Sequence, residues 1–332
     1  MANAGYELLA AAGAARTGTT IFELETEPSD GEIAEFLIAN KEVLEGARHA
    51  LQKRCAVSLE YHAAFFQEHC EGFPALRNLA RSFALEIEAA DRFGDLPGAV
   101  AVGLDVFALA NATRRGGLIV DLFVALGIEG IAINRMRGIR RQLNPHHATH
   151  LANELLRTEA EREPFDHVYT RDQEWEKAVG WSDGSTDSAD FAWPESGEIG
   201  IDEETRQVIT AAVQSYAALP DREKRAFQKP LDDRNLALMR LLALECALNS
   251  FHARHGRYPY VVSELVPDNI AAVPRDPFTT AEFHYRTTPA GCVVYSPGPT
   301  GQDAGGKFGS WLSVMSGDAD LSVDMFDYDD AC

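Results

Sequence analysis

The sequence predicts an α+β protein: a long helical part followed by a small antiparallel sheet packed on one long helix. Three observations carry this. Apolar residues recur at helical spacing from about Asp30 to Arg162. A nearly continuous apolar helix follows, running from Leu231 to His255. After Gly256 the period shortens, and Val273–Arg286 and Gly291–Tyr295 read as strands joined by Pro289-Ala290-Gly291. A chain of 332 residues suits two domains, and 45% apolar content suits a sizeable core.

The helical elements announce their own ends. Ser29 with Glu32 forms a capping-box pattern before Ile33, Phe36 and Leu37. A second helix is expected over about Val57–His69. A third is expected over Pro74–Arg92, with Leu76, Leu79, Phe83 and Ile87 on one stripe. Gly94 can close it, and Asp95 with Pro97 can open the next, over Gly98–Thr113. This helix–turn–helix unit resembles a single tetratricopeptide-type hairpin, or an ordinary helical hairpin. Further helices are expected over Leu118–Leu143, Pro145–Glu163 and Asp202–Leu219. Residues 1–177 therefore form the expected helical scaffold domain. Residues 178–204 form an acidic linker, with eight Asp or Glu and no Lys or Arg, interrupted by Trp181, Phe191 and Trp193. Residues 205–332 form the second domain.

Charge and motifs exclude several function classes. A formal net charge of −21 repels phosphate backbones, so no nucleic-acid partner is expected. The best membrane-span candidate, Gly117–Asn134, carries Asp121 and Glu129, which favours a buried helix in a protein with no membrane-spanning segment. The opening MANAGYELLAAAG has no basic region before its short apolar run and does not read as a signal peptide. The five cysteines lack CxxC spacing, which suits buried or free thiols, with a Cys55–Cys70 disulfide open to an exported chain. No nucleophile elbow, Walker loop or dinucleotide-binding glycine motif occurs, and Cys70 beside His69 lacks a third catalytic group.

The last third carries a family likeness. In order, the long helix leads to His255-Gly256-Arg257-Tyr258-Pro259 and then Ser263-Glu264-Leu265-Val266-Pro267. Val273-Pro274-Arg275-Asp276-Pro277-Phe278, Phe283-His284-Tyr285-Arg286 and Val294-Tyr295-Ser296-Pro297-Gly298 follow, and then Gly301 to Gly306. This ordered set resembles the globular head of the bacterial type II secretion major pseudopilin. Such a protein opens with a leader and a membrane-spanning helix, neither of which is seen at this N-terminus, so the likeness is to a head placed after a helical scaffold. Locally, Gly256 suits a left-handed helix cap, Asp276-Pro277 suits a turn, and Tyr285 and Tyr295 suit neighbouring places on the sheet.

The resemblance implies a calcium site. Gly317-Asp318-Ala319-Asp320-Leu321 matches the family's acidic segment, Asp303 holds an acidic place in the glycine-rich stretch, and Ser296 offers further oxygen. A loop rich in Asp and Gly can supply the six to eight oxygens that calcium takes. Lys307 to Leu312 and the residues after them are inserted before Asp318. The alternative reading is a solvated acidic tail, since six aspartates fall between Asp318 and Asp330. The resemblance favours an extracytoplasmic place, periplasm or cell surface, and a non-enzymatic scaffold that binds protein partners. The rival is a metal-dependent enzyme. It would use His146 and His150, four residues apart on a helix beside His147, with Glu154 on the same face.

Overall fold

The computed structural model describes residues 4–18, 28–180, 219–289 and 291–325, and among these residues eleven α-helices and one hairpin make up the fold. The first nine helices are α1 (Ala4–Ala15), α2 (Asp30–Ala39), α3 (Lys41–Leu51), α4 (Ala63–Cys70), α5 (Phe73–Arg92), α6 (Leu96–Arg114), α7 (Ile119–Ile139), α8 (Pro145–Ala160) and α9 (Phe165–Val179). Then come α10 (Asp221–His255), the antiparallel strands β1 (His284–Thr288) and β2 (Gly291–Tyr295), and the short α11 (Trp311–Ser316). Among the described residues the protein is thus α+β, with a helical N-terminal part and a single small sheet.

Local chemistry sets the helix ends. The Ser29 hydroxyl accepts from the Glu32 amide while the Glu32 carboxylate accepts from the Ser29 amide at 2.8 Å, the reciprocal capping box. Gly94 turns left-handed at φ +74°, and the Asp95 carboxylate accepts from the Gly98 amide at 3.0 Å to start α6. Gly256 caps α10 at φ +68°, as its place after the apolar run predicts. The expected Val57–His69 helix is shorter than its pattern. The Val57 amide is taken by the Arg115 carbonyl at 2.8 Å and the Glu60 carbonyl by the Trp175 indole at 2.8 Å. These distant partners hold residues 57–60 out of the helix, and α4 begins only at Ala63. Helices α1 and α9 extend the helical part at both ends.

α10 ties the structure together. At 1.5 Å per residue its 35 residues span about 52 Å. Its first turns are mostly exposed, and burial becomes dense just beyond Pro230. From there it packs against α8 and α7 on one side and against β2 and the 3₁₀ turn Val262–Leu265 on another. Leu238, Leu241, Leu242 and Leu248 join one buried apolar cluster with Leu79 and Phe83 of α5, Val106 of α6, Leu151 of α8 and Val294 of β2. The expected boundary at 178–204 falls mostly outside the described residues, as do the expected helix 202–219 and Trp181, Phe191 and Trp193. Within the described residues the helical part and the C-terminal part share a continuous core.

Cys55 and Cys70 are free, in line with the expected buried or free thiols and not with the disulfide left open for them, and the Cys55 thiol donates to the Ala50 carbonyl at 3.2 Å. One placement on the sheet is corrected. Tyr285 and Tyr295 lie on opposite faces of the hairpin, because Tyr285 pairs with Val294 and His284 with Tyr295, and side chains alternate along a strand. By length and composition two helices could cross a membrane, α6 and α10, and most of each apolar window is buried inside the protein. The Gly117–Asn134 segment forms most of α7, where Asp121 and Glu129 are buried among partners described below.

Candidate functional site

The C-terminal loop is closed by the backbone. The Ser296 amide donates to the Leu321 carbonyl at 3.0 Å and the Leu321 amide donates back at 2.8 Å, so the chain after Asp320 returns beside the end of β2. A second clasp, from the Asp320 amide to the Lys307 carbonyl at 2.7 Å, pins both ends of the inserted segment. Between them the insertion forms α11, capped by Ser310 and ended by left-handed Gly317. The insertion therefore stands off the loop without separating Asp303 from Asp320.

Those two aspartates converge on one run of glycine-rich backbone. The Asp320 side chain, fully buried, accepts from the Ala304 amide at 3.0 Å and the Gly306 amide at 2.7 Å. Asp303 accepts from the Gly305 amide at 2.7 Å and from the Tyr295 hydroxyl at 3.1 Å, and its other oxygen lies 3.2 Å from His284 Nδ1. Three successive amides thus point at carboxylates. This needs consecutive left-handed residues, Gly305 at φ +76° and Gly306 at φ +77°, and a Cβ at Gly306 would meet the Arg286 guanidinium at 2.6 Å. The Gly305 amide holds the Asp303 carboxyl below the usual carboxylate range.

The other two expected ligands point elsewhere. The buried Ser296 hydroxyl donates to Asp276 at 2.8 Å and accepts from the Gly298 amide at 3.0 Å. Asp276 in turn accepts from the Phe278 amide at 2.9 Å, the side-chain turn expected of Asp276-Pro277. Exposed Asp318 accepts from the Ser316 hydroxyl at 2.7 Å and not from the glycine-loop amides. Asp327, Asp329 and Asp330 of the expected acidic tail lie outside the described residues.

The histidine helix is less convergent. His146 and His150 are exposed on the first turns of α8, and the His146 and His147 rings meet edge to face at 5.5 Å. Glu154 is occupied by Arg157, with contacts of 2.7 and 2.9 Å. Among the described residues, no group of three or more His, Cys, Asp or Glu side chains is placed to hold a metal ion. His69 and Cys70 also part company. His69 bonds buried Asp121 at 2.7 Å, while burial pushes the Cys70 thiol up to about 12, away from a reactive thiolate.

One polar centre escaped the sequence reading. Arg114, fully buried at the end of α6, grips Asp232 of α10 with two bonds of 2.6 and 3.1 Å. Arg162, just after α8, grips Asp232 at 2.7 and 3.1 Å and Glu129 of α7 at 2.8 and 3.0 Å. Asn235 donates to Glu129 at 3.1 Å, and Arg114 Nε donates to the Glu163 carbonyl at 2.6 Å. Two guanidinium groups thus face two carboxylates in balance. Burial alone would raise the Asp232 carboxyl, but the Arg162 and Arg114 charges overcome it and leave it below its ordinary value. Beside this centre lies a cavity of about 300 Å³, lined by Phe165, Leu236, Lys229 and Asp233 among others. Its charges are already paired, Lys229 with Asp233 at 2.7 Å and Arg225 with Asp166 at 2.5 Å. The only signal in the sequence was Glu129 inside an otherwise apolar helix.

Compared with known proteins, the chain matches no family model, no curated protein and no solved structure.

Proposed function

We propose that the chain is a non-enzymatic binding protein: a helical scaffold carrying a head of the type II secretion pseudopilin kind, stiffened by calcium at the loop of Asp303 and Asp320, and working with protein partners in the periplasm or at the cell surface. One observation carries the calcium part. The Ser296–Leu321 and Lys307–Asp320 clasps keep Asp303 and Asp320 on the same three glycine-loop residues, despite the insertion between them. Each Asp320 oxygen accepts one amide and keeps a second lone pair, and Asp303 Oδ2, beside His284, accepts no amide, so both carboxylates can serve the loop and a cation together. Backbone carbonyls and waters would complete the shell, and calcium tolerates such a mixture. The scaffold part draws on the shared core, which fixes head and helices as one rigid carrier.

The test is thermal unfolding of the chain with calcium, with magnesium and with chelator. Binding at one hundred times the dissociation constant should stabilise by about 2.7 kcal/mol. Asp303→Asn should abolish the calcium shift, and magnesium should give a smaller one. An unchanged melting temperature in millimolar calcium removes calcium from the reading.

A further inference from the structure

The glycine-rich loop and the helical part meet in one short run of chain. Asp320 closes the loop, and Asp324, four residues on, reaches the end of α7. Each residue between them is held. The Asp320 amide donates to the Lys307 carbonyl at 2.7 Å, and Leu321 exchanges two backbone bonds with Ser296. Ser322 is buried, and Val323 is fully enclosed in the apolar cluster that also holds Leu151 of α8 and Leu242 of α10. Val323–Met325 forms a 3₁₀ turn packed against α7 and α10.

Guanidinium groups fix Asp324 from the other side. Its carboxylate accepts from Arg140 at 2.5 Å and from Arg141 at 2.9 Å, and its carbonyl accepts from Arg137 at 3.2 Å. Arg140 is buried and has no freedom to swing. Its Nε donates to Glu245 of α10, one Nη to the Arg137 carbonyl and the other to Asp324. An exposed ion pair is usually worth little, because both side chains must be ordered to make it. Here burial and two other bonds already order Arg140, so Asp324 meets a guanidinium in place. Four residues of chain span at most about 14 Å, and with each of them held there is little slack between this clamp and the loop.

We propose that residues 320–324 are a strap through which the helical part sets the calcium loop, and that Asp324, clamped by Arg140 and Arg141, is a positioning residue for the Asp320 carboxylate. Asp324 is not a ligand. It acts through Asp320, by keeping that carboxylate on the Ala304 and Gly306 amides. A cation at the loop and the clamp at α7 then stabilise each other, since coupling between two sites is reciprocal. The purpose of the strap rests on the calcium reading above, and its geometry does not.

The experiment compares the full chain with its Asp324→Ala form in two measurements. Asp324 is half exposed and Arg140 keeps Glu245, so the variant should fold. The first measurement is hydrogen exchange followed by mass spectrometry, with chelator present. Residues 301–306 should exchange about fivefold faster in the variant, while the peptides of α5 and α6 keep their rates. The second is isothermal titration with calcium. The variant should bind about fivefold more weakly, equal to about 1 kcal/mol. Arg157→Gln, which breaks a surface pair on α8, should change neither result. Unchanged exchange at residues 301–306 overturns the strap, whatever calcium does. Faster exchange throughout the chain also overturns it, since Asp324 would then serve stability alone. Equal calcium binding by parent and variant overturns the positioning role. A parent that binds no calcium removes the calcium reading, and the exchange result then decides the strap by itself.

Discussion

At the start of the buried stretch of α10, four charges answer one another out of water; in the loop before Leu321, two carboxylates are answered by backbone amides. Both places hold a fully enclosed aspartate, Asp232 in the first and Asp320 in the second. Asp232 needs two arginines drawn from α6 and from the end of α8, so its environment exists only when four helices are assembled. Asp320 needs only a loop folded on itself, with two left-handed glycines to aim the amides. The first arrangement fixes how helices pack, and each of its charges already has a partner. The second leaves lone pairs for a cation. A buried carboxylate is therefore read by what answers it, not by its burial.

Breaking the first centre has the largest expected effect. Asp232→Ala leaves Arg114 and Arg162 facing each other with only Glu129 between them, and loss of one partner from a buried ion pair costs about 3–5 kcal/mol. Urea unfolding measures it. A loss under 1 kcal/mol would mean that water reaches the guanidinium groups. The shared core gives a loss of similar size with a different diagnostic. Leu242→Ala, at a fully buried site on α10, should cost about 2–5 kcal/mol. Near-ultraviolet circular dichroism and tryptophan fluorescence should lose signal together, because head and helices unfold as one. Two separate transitions would divide the chain into independent units.

How much of this was legible follows the same division. The long helix ending at Gly256, the hairpin after it and the turn at Asp276 depend on neighbours in sequence, and period and cap residues expose them. The Asp303 and Asp320 pair was legible through the family resemblance, but Ser296 and Asp318 were not distinguished from it. Spacing cannot show that Ser296 turns to Asp276 or that Asp318 bonds Ser316. The centre of Arg114, Glu129, Arg162 and Asp232 was illegible as a centre because its members stand up to 118 residues apart, and Glu129 alone stands out, as a charge within an apolar helix. The unwound stretch before α4 was misread for the same reason, since its partners are Arg115 and Trp175.

A third carboxylate sits between these extremes. Asp172 of α9 is answered by a single amide, that of Ile119 at 2.9 Å, and burial pushes its carboxyl up to about 7. In the unfolded chain the same group ionises in the ordinary carboxylate range. The folded state thus binds the proton more tightly, and the stability this gives is present at low pH and lost as pH rises through about 7. Asp172→Asn keeps an oxygen for the Ile119 amide and carries no charge. It should match the parent near pH 4 and exceed it at pH 8 by about 2–4 kcal/mol, the size of a shift of this order. Urea unfolding at the two pH values checks both halves. A variant weaker than its parent at pH 8 would show that the carboxylate is solvated there.

The smallest effects separate the two aspartates that spacing could not. Asp320→Ala removes the acceptor of two half-buried amides, so a loss of about 1–3 kcal/mol is expected without any cation. Asp318→Ala removes one bond to an exposed serine and should stay within about 0.5 kcal/mol. Calcium sharpens the contrast. If the cation sits where Asp303 and Asp320 converge, the Asp318→Ala chain keeps the full calcium shift, because the Asp318 carboxylate is engaged by the Ser316 hydroxyl and not by the glycine-loop amides. If Asp318→Ala loses that shift while Asp320→Ala retains it, the loop must rearrange to bind. The clasp between Lys307 and Asp320 would then be a feature of the cation-free state alone.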